Sequence, residues 1–164
     1  MMFKFVVRKL RWLSRIPVLP QLFDAGLMVA TMLFDRPRLR AMEMFENAIG
    51  CKYTIQRRPH RFGGVGFFIE TTEIGHLHGN GLLDLFVGKS FRAEEVRRGR
   101  ALPHHVFPDS GWISFWLKSP ADITRALELF EIASVYRTTG QLISQAHNGC
   151  RRIPRILPDE TQSD

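Results

Sequence analysis

After Gly50 the apolar period of the chain changes from helical to alternating, and this switch limits the possible folds more than any other feature. Before it, Leu39, Met42, Phe45 and Ile49 recur at the spacing of one helix face, so 38–49 reads as a helix with Gly50 as its stop. After it, Val65, Phe67 and Ile69 alternate with smaller or polar residues, which predicts a strand over 64–70. Gly63, Gly64 and Gly66 mark a bend or a close backbone approach there. Glu73 to His78 reads as a second strand and Leu82 to Val87 as a third, with Asn80-Gly81 as the hairpin turn between them. Ser90 caps a short helix over 91–98 that Gly99 ends. Trp112 to Leu117 is a fourth strand, with Ile113, Phe115 and Leu117 on one face and Trp112, Ser114 and Trp116 on the other. Ser119-Pro120-Ala121-Asp122 is a capping box, and it opens a helix that turns Ile123, Ala126, Leu127, Phe130 and Ala133 toward a core. The expected architecture is α+β: a two-layer arrangement with an antiparallel sheet of about four strands, helices on one face, and an N-terminal helical extension.

A chain of 164 residues suits one domain of ordinary size. The expected division is a hydrophobic and basic segment over 1–37, an α+β domain over 38–150 and a disordered tail over 151–164. The net charge of +7 points to anionic partners. Much of it sits in Met1 to Arg15, where Lys4, Arg8, Lys9, Arg11 and Arg15 are interleaved with apolar residues and no acid is present. That is the pattern of a basic amphipathic helix at a membrane surface. Ile16 to Phe34 follows as an almost continuous apolar stretch, interrupted by Asp24, Pro17 and Pro20. Three readings of 1–34 stay open: helices packed on the domain's own core, an interfacial membrane anchor, and a transmembrane span, against which the aspartate and prolines argue. No nucleic-acid motif accompanies the charge, so nucleic acid is not expected as a partner. Cys51 and Cys150 form no CxxC pair and no disulfide framework, which makes a reducing, cytoplasmic compartment the default.

The densest polar cluster is Glu73-Ile74-Gly75-His76-Leu77-His78. On a strand, His76 and His78 point to the same face, as a minimal metal-ligand pair or an acid/base pair. His104 and His105 lead into the fourth strand, and would approach His76 and His78 if that strand paired beside the second. Three imidazoles with a carboxylate from Glu73, Asp84 or Asp109 would suit zinc or iron, or the deprotonation of a phenol or enol. The ordinary reading of Asp84, which faces away from Leu83, Leu85 and Val87, is a solvated strand residue; the sharper one is a site carboxylate. Trp112 and Trp116 read either as packing or as the wall for a flat ligand. Arg57, Arg58 and Arg61 around His60 read as a solvated face or a phosphate patch. Neither cysteine has an activating neighbour, and no serine sits in a nucleophile elbow.

Three runs carry a family resemblance: His60 to Val65, Glu73 to Asp84, and Pro103 to Trp112. They are similar to the luciferase-domain family, in the bacterial branch related to the fungal luciferases of the hispidin pathway. The likeness covers roughly residues 60–137. Glu73, Ile74, His76 and His78 match an E-I-x-H-x-H run of the fungal enzymes, and Gly99 with His104 matches a further spacing. The resemblance extends more loosely to the N-terminal segment, which in the fungal enzymes is hydrophobic and membrane-associated. This chain departs from the pattern after His104, where it has His105 and the compact Pro108-Asp109-Ser110-Gly111 turn.

What the resemblance implies is an oxidoreductase: an oxygenase reaction of dioxygen with an electron-rich pyrone or phenol, with no organic cofactor. No metal is assigned among the histidines, and none is excluded. Such chemistry needs a base, an apolar pocket and control of water. His76, His78 and His104 would supply the base with Glu73 as orienting carboxylate. His105, Asp109, Trp112, Trp116 and Asp84 would line the ligand site for a small aromatic or pyrone-like molecule. The alternative expectation is a non-catalytic module that binds or regulates at a membrane surface through residues 1–34.

Overall fold

The computed structural model describes residues 19–138. In chain order the elements are α1 (Leu19–Phe34), α2 (Arg36–Lys52), β1 (Gln56–Pro59), β2 (Val65–Ile69), β3 (Thr72–Leu77), β4 (Leu82–Phe86), α3 (Lys89–Arg97), β5 (Leu102–Pro103), β6 (Trp112–Trp116) and α4 (Ile123–Arg137). The strands form one antiparallel sheet in the order β1-β2-β3-β4-β6-β5. The α+β class holds, with six strands where the alternation shows four. β1 reads Gln-Arg-Arg-Pro and is exposed throughout, so it has no apolar period, and β5 is only two residues long.

α2 and α4 cover one face of the sheet. The predicted stripe Met42, Phe45 and Ile49 is buried there, and Phe45, Phe67 and Phe130 meet edge to face with ring centroids 5.8–6.1 Å apart. Asp35 caps α2 by accepting the Arg38 amide at 3.1 Å, and the helix runs through Gly50 to Lys52 because the Ile49 face is already committed to this core. The Ser119/Asp122 capping box is present and closes a single 3₁₀ turn, Pro120–Asp122, before α4 begins. Cys51 lies in the last turn of α2, and the chain's other cysteine, Cys150, lies outside the described residues.

The other face of the sheet is covered by α1 and the 104–111 loop. α1 is inverted relative to an ordinary surface helix. Its two buried residues are polar, Asp24 and Thr31, while Leu22, Val29, Met32, Leu33 and Phe34 are exposed. Thr31 Oγ1 donates to the Gly79 carbonyl at 2.8 Å and the Gly79 amide donates to Asp24 Oδ1 at 3.0 Å. Helix and hairpin are so close that a Cβ on Gly79 would stand 2.6 Å from the Asp24 carbonyl oxygen. At Gly64 the φ of +83° and a Leu77 carbonyl 2.3 Å from any added Cβ confirm the close approach expected of the glycine run. The basic stretch 1–15 and the tail 151–164 lie outside the described residues. No helix among the described residues is long and apolar enough to cross a membrane, and the start of the Ile16 to Phe34 stretch lies outside them.

Candidate functional site

β3 and β4 assemble the site by register. Asp84 stands opposite His76 on one side and Ser114 on the other. Strict alternation would send Glu73 to the face opposite His76, and a register shift prevents this. Phe67 pairs with Gly75 and Phe68 with Glu73, so Ile74 is the extra residue. The bulge sends Ile74 into the core and turns Glu73 to the histidine side. β6 pairs with β4, not beside the second predicted strand, and this still delivers His104 and His105 to Asp84 through β5.

Four imidazoles converge on one carboxylate oxygen. Asp84 Oδ2 lies 3.3 Å from His76 Nε2, 3.4 Å from His78 Nε2, 3.6 Å from His104 Nε2 and 3.7 Å from His105 Nδ1. Asp84 is fully buried, and His76, His78 and His104 are 5–6% exposed. The other Asp84 oxygen accepts from the Ser114 hydroxyl, which fixes the carboxylate. A fifth imidazole, His60, stacks on His76 with centroids 3.7 Å apart. Three overlapping trios are close enough to hold an ion: His60/Glu73/His76, His76/His78/Asp84 and Asp84/His104/His105.

Neighbours set the tautomers. His76 Nδ1 is 3.0 Å from Glu73 Oε1 and His78 Nδ1 is 3.2 Å from Asp24 Oδ1, so both rings carry a proton on Nδ1. His104 is the reverse: its Nδ1 accepts the amides of Val106 and Phe107 at 3.1 and 3.0 Å, so its hydrogen is on Nε2. His60 Nδ1 accepts from the Phe62 amide at 3.4 Å, which places its hydrogen on Nε2, facing Glu73 at 3.3 Å.

The same contacts divide the imidazoles by charge. Burial alone pushes His78 down, but Asp24 and Asp84 outweigh it and the group is raised to about 9. His76 is also buried, and Asp84 and Glu73 leave it raised. Burial takes His104 down to about 4, against the opposing charge of Asp84. Burial and the neighbouring His76 take His60 to about 4 as well. Burial also lowers His105. Asp84 is buried too, yet the imidazoles hold it well below the ordinary carboxylate range.

A pH profile of stability follows for the metal-free chain. His78 binds its proton more tightly folded than unfolded, so its contribution is present below the ordinary 6.5 and is lost as pH rises through about 9. His60 and His104 act oppositely: their contribution is present above 6.5 and is lost as pH falls to about 4. A tenfold change in proton affinity between folded and unfolded chain is worth about 1.4 kcal/mol, so thermal melts should peak near pH ~6.5 and fall on both sides. A midpoint that stays level from neutral pH to pH ~9 would sink the His78 assignment.

The structure gathers Glu73, His76, His78, Asp84, His104 and His105, and puts Trp112 beside them, 5.4 Å from the His76 ring. Asp84 is a buried centre here, not a solvated strand residue. Asp109 stays exposed on its turn, and Trp116 lies further along β6 under the Arg38 guanidinium. Sequence reasoning missed three participants. Asp24 reads as a flaw in an apolar stretch, His60 is lost among three arginines, and Ser114 reads as a spacer between tryptophans. The signal for Asp24 was available: one acid in an apolar run needs a buried partner.

Residues 71–133 match the family model described as Luciferase domain. No curated protein and no solved structure matches the chain.

Proposed function

We propose that the luciferase-like domain of this chain binds a small aromatic or enolisable molecule against the histidine cluster and acts on it as an oxygenase, with dioxygen as co-substrate and no organic cofactor. The observation that supports this best is the convergence of four imidazoles on the buried Asp84 beside a tryptophan wall. The neighbouring carboxylates favour the charged form of His76 and His78, and His104 presents a fixed Nε2–H. The base expected among His76, His78 and His104 would take the enol proton as the enolate forms, and the remaining imidazoles would hold the enolate oxygen. An electron-rich enolate supplies the electrons that dioxygen accepts, so the addition needs no external reductant. A groove of about 700 Å³ bounded by Phe86, Phe91, Ile132, Val135 and Tyr136 lies one ring away. The Phe86 and Trp112 centroids are 5.4 Å apart, and Trp112 separates the groove from His76. A flat ligand has room there beside Phe86, whose ring meets Trp112.

Oxygen uptake with a 3-hydroxy-styrylpyrone tests the reading. The expected result is uptake by the wild-type chain that falls at least about 100-fold in His76→Ala, a loss typical of removing one charge-stabilising donor. No uptake by folded wild type removes the oxygenase. Uptake that His76→Ala leaves unchanged moves the chemistry away from the cluster.

A second reading has its own observation. α1 turns Leu22, Val29, Met32, Leu33 and Phe34 outward, with Phe34 86% exposed. We infer that this face lies in a membrane surface, beside the basic stretch that precedes it in sequence. Full-length chain should sediment with anionic vesicles, and Leu33→Glu with Phe34→Glu should release it to the supernatant. Equal sedimentation of both proteins would remove the membrane reading.

A further inference from the structure

We propose that His76 Nε2, His78 Nε2 and the Asp84 carboxylate bind one divalent first-row transition-metal ion of the zinc or ferrous class. Two of the closest contacts in the cluster are wrong for hydrogen bonds and right for shared coordination. A charge-assisted N–H···O bond is about 2.7–2.9 Å long, whereas ligands about 2.1 Å from a tetrahedral ion stand about 3.4 Å apart. His76 Nε2 and His78 Nε2 are 3.3 and 3.4 Å from Asp84 Oδ2, and all three atoms lie within 4.8 Å of one another. Asp84 Oδ2 and His78 Nε2 are moreover buried without a hydrogen-bond partner among the described residues. A carboxylate oxygen at zero exposure that the imidazoles approach only to 3.3–3.7 Å has no bond of ordinary length, and an ion between it and the imidazoles would supply one.

Tautomers choose this trio over the other two. Glu73 and Asp24 take the Nδ1 hydrogens of His76 and His78, so both Nε2 lone pairs point inward. A carboxylate behind each ligating imidazole is the usual outer shell of a metal site. His104 fails as a ligand because two backbone amides occupy its Nδ1 and leave the hydrogen on Nε2. His60 fails for the same reason, through the Phe62 amide. That removes Asp84/His104/His105 and His60/Glu73/His76. Two imidazoles and one carboxylate leave coordination positions open, and the His104 Nε2–H, aimed at the same centre, is placed to donate to whatever fills one of them.

The test uses the tag-free full chain, stripped with chelator and titrated with Co²⁺ and, separately, Zn²⁺. The expected result is one ion per chain, with the visible absorption of low-coordinate Co²⁺. His78→Gln and Asp84→Asn should abolish both readouts. Glu73→Gln, which touches the ion only through His76, should weaken affinity by about 10-fold or more. His104→Gln should keep one ion per chain. The proposal is overturned by a folded wild-type chain that binds neither ion, by binding that survives the His76→Gln/His78→Gln pair, or by an ion lost in His104→Gln. If the ligand variants do not fold, wild-type stoichiometry and the Glu73→Gln affinity still decide it. The ion is counted with no organic ligand present, so this inference and the oxygenase reading fail separately.

Discussion

Asp84→Ala is expected to lower the stability of the metal-free chain by about 3–5 kcal/mol at pH ~6, the cost of removing one partner from a buried ion pair. Asp84 is fully buried and is the shared neighbour of four imidazoles, two of which it shifts toward their charged form. Without it, only Asp24 and Glu73 oppose burial, and both imidazoles shift down toward the neutral form. The loss above neutral pH should then shrink. The wild type loses stability as pH rises through the His78 value of about 9, whereas the variant, whose imidazoles bind their protons less tightly, should stay closer to level there. Asp84→Asn separates charge from packing. It keeps the volume and an acceptor for the Ser114 hydroxyl, and lacks the negative charge. Chemical denaturation at pH ~6 and pH ~8 should find Asp84→Asn nearly as weakened as Asp84→Ala at the lower pH. If Asn restores wild-type stability there, the carboxylate is not what the histidines need.

Asp84 also shows where sequence reasoning reached its limit. Leu83-Asp84-Leu85 has the alternation of a half-exposed strand, and by period alone the aspartate faces solvent. That face is covered by α1, contributed from about sixty residues earlier, and by the loop before β6, and neither coverage is written in the strand's own pattern. The helix stripe over 38–49, the hairpin at Asn80-Gly81 and the capping box at Ser119 were legible because each is a local choice between neighbouring residues. The pairing of β6 with β4 was not, because period fixes faces and leaves strand order free. Ile74 marks the same boundary at finer scale. His76 and His78 share a face by simple alternation, but Glu73 joins them only through a bulge that no residue type announces. His60 was hidden for a chemical reason: three arginines around it make a solvated face the cheaper expectation.

Gly79→Val should cost about 3 kcal/mol, the upper end of ordinary overpacking, because the two nearest atoms it meets are backbone. A Cβ there stands 2.6 Å from the Asp24 carbonyl oxygen, 2.7 Å from the Met28 amide nitrogen and 2.9 Å from Met28 Cβ. A flexible side chain could yield; a helix backbone yields only by moving the helix. Displacing α1 removes three contacts at once: Asp24 from His78, Asp24 from the Gly79 amide, and Thr31 from the Gly79 carbonyl. His78 then loses the partner that fixes its Nδ1 hydrogen, so the defect reaches the site from a residue that is not part of it. Two measurements should move together in Gly79→Val: limited proteolysis should cut within Leu19–Phe34 far faster than in wild type, and the stability loss of wild type toward pH ~9 should shrink as His78 falls toward its ordinary value. Thr31→Val serves as the comparison. It removes one of the three contacts with almost no change in shape, so α1 stays seated and His78 keeps Asp24. Protease resistance and a wild-type pH profile in Gly79→Val would mean that α1 holds the hairpin by some surface other than Gly79, and that the inverted helix is not what positions His78.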